Sequence, residues 1–191
     1  MNEEKAIAIV KDTLPLKRFE HTMRVVDVAE KLAKQYDVDV AKARLAAILH
    51  DYAKYRPIEE MQETVKMVDE LPKDLLEAGG EILHAFVGAY YVKSELRIDD
   101  EDILLAIRYH TTGRDNMTKL EKVVFLADYI EPMRSFPGVE TVREKAAKNL
   151  DQACLQALKN TITFLVGKNA FVYKDTFDAY NYFVKITSRR V

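Results

Sequence analysis

The chain has 191 residues, of which 48% are hydrophobic and 31% charged, and its formal net charge is −2. This length and composition predict one globular domain over residues 1–191 and exclude an intrinsically disordered chain. The balanced charge argues against a nucleic-acid-binding protein, which normally carries a basic surplus, and no apolar run approaches the roughly 18 residues that a membrane span needs.

Apolar residues recur at helical spacing along almost the whole chain, without the alternation typical of strands. Six glycines and five prolines, about half the usual share of roughly 12%, also favour helix over turns. The predicted helices cover residues 3–13, 17–36, 41–54, 57–68, a short turn from 71, 82–96, 101–110, 118–131, 139–168 and a last helix from 170. The sequence therefore predicts an all-α fold.

The last predicted helix is rich in aromatic side chains, and we expect them to serve core packing or a homodimer interface rather than adenine stacking. They are Phe171, Tyr173, Phe177, Tyr180, Tyr182 and Phe183. The single cysteine, Cys154, cannot form an internal disulfide, and the first residues show no signal-peptide order. Both observations predict a cytoplasmic protein.

The four histidines of the chain lie on predicted helices or at their ends, beside apolar residues: His21, His50, His84 and His110. One such histidine alone is more often a hydrogen-bonded core residue than a ligand. However, Asp51 directly follows His50, and Asp128 lies in an apolar segment where an unpaired carboxylate would cost several kcal/mol. Four imidazoles and two carboxylates are together the donor set of a site for two metal ions.

Other metal and phosphate motifs are missing from the sequence. It contains no His-Glu-x-x-His segment of a zincin protease, and only one Glu-x-x-His segment, at Glu81, where a ferritin-like di-iron bundle needs two. A structural zinc site would use several thiolates. Gly167-Lys168 lacks the upstream glycine of a phosphate-binding loop.

Cations follow the candidate ligands along the chain. Lys54 shares a helical face with His50 and Asp51, while Arg114 and Arg134 each follow a later ligand across a short turn. Each cation alone could be a solvated surface charge. Beside metal ions, they favour a site in which cations bind a phosphate-rich anion and metal supplies the nucleophile.

His21, the pair His50-Asp51 and Asp128 resemble the H…HD…D signature of the HD-domain metal-dependent phosphohydrolases. Four longer segments, at residues 47–57, 83–90, 107–114 and 127–132, together with Asp175-Thr176-Phe177, resemble the bacterial YqeK family of symmetrical diadenosine-tetraphosphate hydrolases. The resemblance covers essentially the whole chain.

This resemblance implies an all-helical HD-domain bundle that binds iron or another divalent transition metal, manganese and cobalt included. A first metal would be held by His21, His50, Asp51 and Asp128. Asp51 would bridge to a second metal, held also by His84 and His110. Water activated between the two metals would cleave a dinucleoside tetraphosphate at its centre into two nucleoside diphosphates.

The resemblance also places residues around the substrate. Asp51 and Lys54 would act in catalysis, with Lys54 neutralising charge on the transferred phosphoryl group. Arg114 and Arg134 would bind the outer phosphates. Hydroxyl and backbone N–H donors for the same anion would come from Thr111, Thr112 and Gly113.

Three alternatives stay open at this point. The same site could hydrolyse another nucleotide, namely a nucleoside monophosphate, a deoxynucleoside triphosphate or a guanosine alarmone. It could also form a nucleotide-sensing module without turnover, which the complete ligand set disfavours. A di-iron oxygenase of HD type is disfavoured by Lys54 and the two arginines.

Overall fold

The computed structural model describes residues 1–188, which form ten α-helices and a 3₁₀ helix, Lys73–Glu77, without a β-strand. The α-helices are α1 (Glu3–Thr13), α2 (Leu16–Tyr36), α3 (Val40–Leu49), α4 (Ile58–Met67), α5 (Gly80–Leu96), α6 (Glu101–Arg108), α7 (Lys119–Ile130), α8 (Val139–Ala146), α9 (Leu150–Gly167) and α10 (Lys174–Ser188). The predicted all-α fold is confirmed. Within these residues, no helix has both the length and the apolar character needed to cross a membrane.

The centre of the molecule is built around α3, which packs against α2, α6 and α7. Three alanines on α3, Ala43, Ala46 and Ala47, are fully buried, and their small side chains allow neighbouring helices to approach closely. α5 packs against α6, and nine of its residues are buried. The packing thus brings together the helices that carry or precede all four histidines.

The predicted helix over 41–54 is too long at its carboxyl end, because α3 stops at Leu49. The ring of His50 donates its Nδ1 hydrogen to the Ala47 carbonyl at 2.7 Å, the acceptor that the next helical turn would use. The chain continues in tighter turns, in which the Lys54 amide donates to the Asp51 carbonyl at 2.9 Å. His50 and Asp51 consequently lie just past the helix end.

The predicted helix over 139–168 is in fact two helices, α8 and α9. Asn149 adopts extended backbone angles between them, and its side chain accepts the Gln152 amide at 3.0 Å, so it caps α9. The last helix starts at Lys174 instead of residue 170, because α9 ends near Asn169, whose φ of 52° is left-handed.

Of the six aromatic residues near the end of the chain, two are buried, two are exposed, and Tyr180 and Tyr182 are partly buried. Tyr173 and Phe183 are buried, and the ring of Tyr173 meets Phe86 edge-on at 5.6 Å between centroids. Phe171 and Phe177 are about half exposed, at 52% and 51%. Core packing therefore accounts for the first pair, and the predicted homodimer interface stays a prediction.

Candidate active site

The six predicted metal ligands come together at the centre of the helical bundle. Their nitrogen and oxygen atoms form three overlapping groups, in each of which the atoms lie within 4.8 Å of one another. The groups are His21, His50 and Asp51; His50, His110 and Asp128; and Asp51, His84 and His110. Residues from distant parts of the sequence thus share one small volume.

Three of the four imidazole rings are oriented by the backbone of their own helix. His50 and His110 each follow the end of a helix and donate Nδ1–H to the carbonyl three residues earlier, at 2.7 Å in both cases. His84 donates Nδ1–H to the carbonyl four residues earlier, within α5, at 3.0 Å. Since the carbonyl must accept, Nδ1 carries the hydrogen, and Nε2 of each ring faces the site.

His21 on α2 obtains the same orientation from a carboxylate. Its Nδ1 lies 3.2 Å from Oε1 of the buried Glu131. The other oxygen of Glu131, Oε2, accepts hydrogen bonds from Arg24 Nε and from the Met133 amide, both at 2.8 Å. Burial favours the neutral carboxyl, but Arg24 and the other donors outweigh it and hold the pKa of Glu131 below its usual value. An ionised Glu131 therefore fixes His21 with Nε2 toward the site.

The site-facing atoms approach one another closely. The contacts are His21 Nε2 with Asp128 Oδ1 at 3.0 Å, His50 Nε2 with Asp51 Oδ2 at 2.9 Å, His84 Nε2 with Asp51 Oδ1 at 3.1 Å, and His84 Nε2 with His110 Nε2 at 3.2 Å. Because each Nδ1 already bonds within the protein, Nε2 is the ring atom that each imidazole presents to these neighbours.

Three buried atoms of the cluster make no hydrogen bond within residues 1–188, namely Nε2 of His21, Nε2 of His50 and Oδ1 of Asp51. Buried acceptors without a donor are costly unless a cation satisfies them. A converging set of imidazole nitrogens and carboxylate oxygens suits a divalent transition metal. The residues present therefore fit a metal site.

The electrostatics of the cluster maintain most of its members in the form that binds metal. Burial raises the pKa of both Asp51 and Asp128, but neighbouring imidazoles outweigh this and hold both pKa values well below the usual range. Burial, together with the nearby His50 and His84, lowers the pKa of His110 well below its usual value. For His50, burial is outweighed by the Asp51 and Asp128 carboxylates, and its pKa is raised.

A cavity of about 180 Å³ opens beside the cluster, with His84, His110 and Asp128 in its wall. Two of the predicted substrate-binding cations, Lys54 and Arg134, line it together with Thr111.

Both cations are paired with acids at the cavity. Lys54 Nζ contacts Glu81 Oε2 at 2.7 Å, and Arg134 Nη2 contacts Asp128 Oδ1 at 2.7 Å. The charge of the cavity wall is thus partly balanced by carboxylates of the protein.

Arg114 is not among the residues that line this cavity. Its Nε and Nη2 donate to the two oxygens of Glu121 at 2.6 and 3.0 Å. Glu121 is only 1% exposed, and it also completes the capping box at the start of α7 with Thr118. Arg114 is thus paired with a buried acid of the protein.

Two further predicted substrate donors are also engaged inside the protein. The hydroxyl of the buried Thr112 donates to the Gly113 carbonyl at 2.8 Å, and the Gly113 amide donates to the Tyr109 carbonyl at 2.9 Å. Gly113 has a left-handed φ of 64°, and a Cβ there would lie 3.3 Å from the Cβ of Ala179. Of the predicted donors at 111–113, the structure brings Thr111 to the cavity wall.

One cation at the site, Arg18, is absent from the predicted set. It lies on α2, lines the cavity, and contacts Asp51 Oδ2 through both Nε and Nη2. Its partner is 33 positions away in sequence. The sequence could have pointed to Arg18 through its position three residues before His21, since this spacing places both side chains on one face of the helix.

Comparison with known proteins agrees with this geometry. The model of the HD domain family matches residues 18–133. Two proteins named symmetrical bis(5'-nucleosyl)-tetraphosphatase are similar to the chain over nearly its full length. The protein of Bacillus subtilis strain 168 is 51% identical over 96% of this chain and 98% of its own. The protein of Halalkalibacterium halodurans is 53% identical over 95% of this chain and 96% of its own.

A solved structure shares the whole architecture. It is the crystal structure of a protein from Clostridium acetobutylicum described as a predicted HD superfamily hydrolase involved in NAD metabolism. It is 39% identical, covers 97% of this chain and 98% of its own, and superposes with a TM-score of 0.91. The chain therefore belongs to the HD-domain family and, within it, to the group of the symmetrical bis(5'-nucleosyl)-tetraphosphatases that its sequence motifs predicted.

Proposed function

We propose that this chain is a metal-dependent hydrolase that cleaves dinucleoside tetraphosphates, diadenosine tetraphosphate among them, symmetrically into two nucleoside diphosphates. The observation that carries the proposal is the convergence of four imidazoles and two carboxylates beside a cavity lined by cations. Similarity to the named tetraphosphatases extends over at least 95% of the chain and supports the substrate. No observation favours another nucleotide, a sensing module or an oxygenase over this function.

We propose two metal sites within the cluster. One would use His21, His50, Asp51 and Asp128, and the other Asp51, His84 and His110. The two oxygens of Asp51 face different imidazoles, Oδ2 toward Nε2 of His50 at 2.9 Å and Oδ1 toward Nε2 of His84 at 3.1 Å, which supports a bridging role for its carboxylate. Iron is the proposed metal, with manganese and cobalt as alternatives, since all three accept imidazole and carboxylate ligands. When bound, such ions supply a Lewis acid that activates water and polarises phosphoryl oxygens.

The residues of the chain would bind and orient the polyphosphate. Lys54, whose side chain is 16% exposed, is proposed to exchange its contact with Glu81, whose side chain is 85% exposed, for a contact with phosphate. Its ammonium would then neutralise charge on the transferred phosphoryl group. Arg134 donates through Nε and Nη2 to Asp128, and it would offer its remaining N–H groups to an outer phosphate. Thr111, which lines the same cavity, would offer a hydroxyl.

We further propose that the protein is cytoplasmic, does not bind nucleic acid and forms a homodimer. The single cysteine and the near-neutral charge support the first two statements. Exposed apolar side chains near the junction of α9 and α10, among them Phe164, Phe171 and Phe177, support the third. Light scattering of the purified protein measures the oligomeric state.

The function is tested by separating the products of diadenosine tetraphosphate by chromatography, with iron, manganese or cobalt added to the metal-free protein. We expect ADP as the sole nucleotide product. AMP together with ATP would contradict symmetrical cleavage, and no cleavage with any of the three metals would contradict the proposed activity.

Asp51→Asn tests the role of the proposed bridging carboxylate. The change retains the shape of the side chain but removes the negative charge that offsets repulsion between two dications, so we expect bound metal and turnover to be almost wholly lost. Circular dichroism should show unchanged helix content. Asp12→Asn, at an exposed position on α1, is the matched control. A folded Asp51→Asn protein with nearly normal turnover would refute the two-metal proposal.

A further inference from the structure

A second cavity, of about 210 Å³, lies between α5 and α6 and shares no lining residue with the cavity beside the ligand cluster. Its wall on α5 extends from Phe86 to Lys93, and its wall on α6 extends from Glu101 to Arg108. Phe86 follows His84 by two residues, which places the two side chains on opposite faces of the helix. The second cavity therefore opens on the side of α5 that faces away from the ligand cluster.

Arg108, the last residue of α6, brings an unused hydrogen-bond donor to this cavity. Its Nε is buried and makes no hydrogen bond within residues 1–188. The guanidinium carbon lies 5.0 Å from the ring centre of Phe86 and 5.5 Å from that of Tyr109, so both rings help to hold it in place. A buried donor without an acceptor is costly, and an oxyanion in the cavity would satisfy it.

The nearest carboxyl that interacts with Arg108 does not neutralise it. Burial raises the pKa of Asp175, and the opposing charges of Lys174 and Arg108 do not outweigh this effect. Arg108 is therefore only weakly coupled to Asp175, and its charge remains available to a ligand.

The rest of the cavity indicates what the oxyanion is attached to. The wall between its two ends includes Tyr90 and Leu104. Since the guanidinium of Arg108 lies against Phe86, Lys93 and Glu101 stand at the opposite end, seven helical residues or about 10 Å away. A matching ligand has an oxyanion at one end, a flat apolar middle and polar groups at the other end.

We propose that the cavity between α5 and α6 is a second ligand site, which binds a nucleoside monophosphate through its phosphate at Arg108. A guanidinium suits phosphate because it donates through two parallel N–H groups. The base would lie along Tyr90 and Leu104, since aromatic side chains stack on nucleobases. Lys93 would donate to a ring nitrogen of the base, and Glu101 would accept from its amino group, both of which adenine offers.

An NMR titration of the ¹⁵N-labelled, metal-free, full-length protein with AMP separates this site from the candidate active site. We expect the amide signals of residues 86–93 and 101–108 to follow one binding curve, and those of Thr111 and Arg134 to follow another. The Nε–H signal of Arg108 should move with the first group, because phosphate becomes its acceptor. Shifts confined to the residues of the active-site cavity would overturn the proposal.

Arg108→Met is the variant that tests the anchor. It retains an apolar stem against Phe86 and Tyr109 but removes every N–H donor of the side chain. We expect it to weaken AMP binding between α5 and α6 roughly tenfold or more and to leave the second binding curve unchanged. The dispersion of the amide signals reports in the same spectrum that the variant is folded. Unchanged AMP binding between α5 and α6 would refute the site.

Two further variants serve as controls. Arg108→Lys keeps the charge but loses the paired donors, so its affinity for AMP should lie between those of Arg108→Met and the wild type. Lys159→Ala removes a charge at an exposed position on α9 and should match the wild type. An equal loss of affinity in Lys159→Ala would show that net charge, and not Arg108, attracts AMP.

Inorganic phosphate and adenosine test the two halves of the ligand. Each alone should bind between α5 and α6 roughly tenfold or more weakly than AMP, because each makes only part of the contacts. Phosphate that binds as tightly as AMP would overturn the assignment to a nucleotide. These titrations require no turnover, so a wild-type protein that releases no ADP from diadenosine tetraphosphate would contradict the proposed function alone.

Discussion

At the scale of single residues, each site histidine has its two ring nitrogens assigned to different tasks. Nδ1 donates within the protein, to a backbone carbonyl for His50, His84 and His110 and to Glu131 for His21. Nε2 faces the cluster. The protein therefore fixes the tautomer and ring orientation before a metal arrives, which reduces the ordering that metal binding requires.

Arg114→Ala is expected to weaken the fold and leave catalysis intact. The change leaves the buried Glu121 without its two guanidinium hydrogen bonds, so the free energy of unfolding should fall by about 1.5–3 kcal/mol. Urea denaturation measures this loss, and the KM for diadenosine tetraphosphate should not change. A raised KM with unchanged stability would instead support the phosphate contact predicted from the sequence. Arg134→Ala, on the cavity wall, is the comparison that should raise KM.

Residue type and context in the sequence singled out the six residues that cluster in the structure. The sequence alone shows four histidines beside apolar residues, the His50-Asp51 pair and an acid within an apolar helix. Arg18 and Glu131 were not identified, because their partners Asp51 and His21 lie 33 and 110 positions away. Arg114 was assigned to phosphate because it follows His110 across a short turn, and the sequence does not reveal its pairing with the buried Glu121.

At the scale of secondary structure, helical periodicity predicted most elements to within a few residues. Periodicity failed to predict a helix end where a polar side chain takes the place of a backbone hydrogen-bond partner. His50 bonds to the carbonyl of Ala47 and ends α3 at Leu49, and Asn149 accepts the Gln152 amide and starts α9. Apolar spacing continues across both positions, so periodicity alone predicted uninterrupted helices.

Asn149→Ala is expected to destabilise α9 without affecting the site. Removing the side-chain cap should lower the free energy of unfolding by about 1 kcal/mol. Denaturant unfolding measures the change, and Asn149→Ser, which retains a capping oxygen, is the control. Turnover should match the wild type, because the six clustered ligands lie outside α9. Equal losses of unfolding free energy in Asn149→Ala and Asn149→Ser would show that the cap does not explain the break between α8 and α9.

At the scale of the whole molecule, the all-α fold followed from periodicity, but the arrangement of the helices did not. Only the resemblance to a known family implied an HD-domain bundle, since pattern alone does not say which helices meet. In the structure α3 contacts α2, α6 and α7, and its three alanines are buried. The organisation of residues 1–191 as a single domain stays a prediction.

Metal binding is expected to stabilise the entire molecule. The ligands come from α2, α5 and α7 and from the residues that follow α3 and α6, so the unfolded chain does not hold them together. Free metal at 100 times its dissociation constant should raise the free energy of unfolding by about 2.7 kcal/mol. Urea denaturation with and without Mn²⁺ measures the effect, and a chelator should reverse it.

The matched control for this prediction is Asp51→Asn, which should show little stabilisation by metal. Asp12→Asn should respond to Mn²⁺ as the wild type does. Equal stabilisation of Asp51→Asn and the wild type would place the responsible metal outside the six-residue cluster.

The spread of the ligands along the chain, from His21 to Asp128, also has a kinetic consequence. Long segments must close before these side chains meet, and such distant contacts form late and slowly during folding. Metal then binds only after the helices have docked, so it adds nothing to the folding nucleus. An interaction missing from the transition state slows unfolding and leaves the refolding rate unchanged. We therefore expect bound metal to prolong the lifetime of the folded chain rather than to guide its assembly.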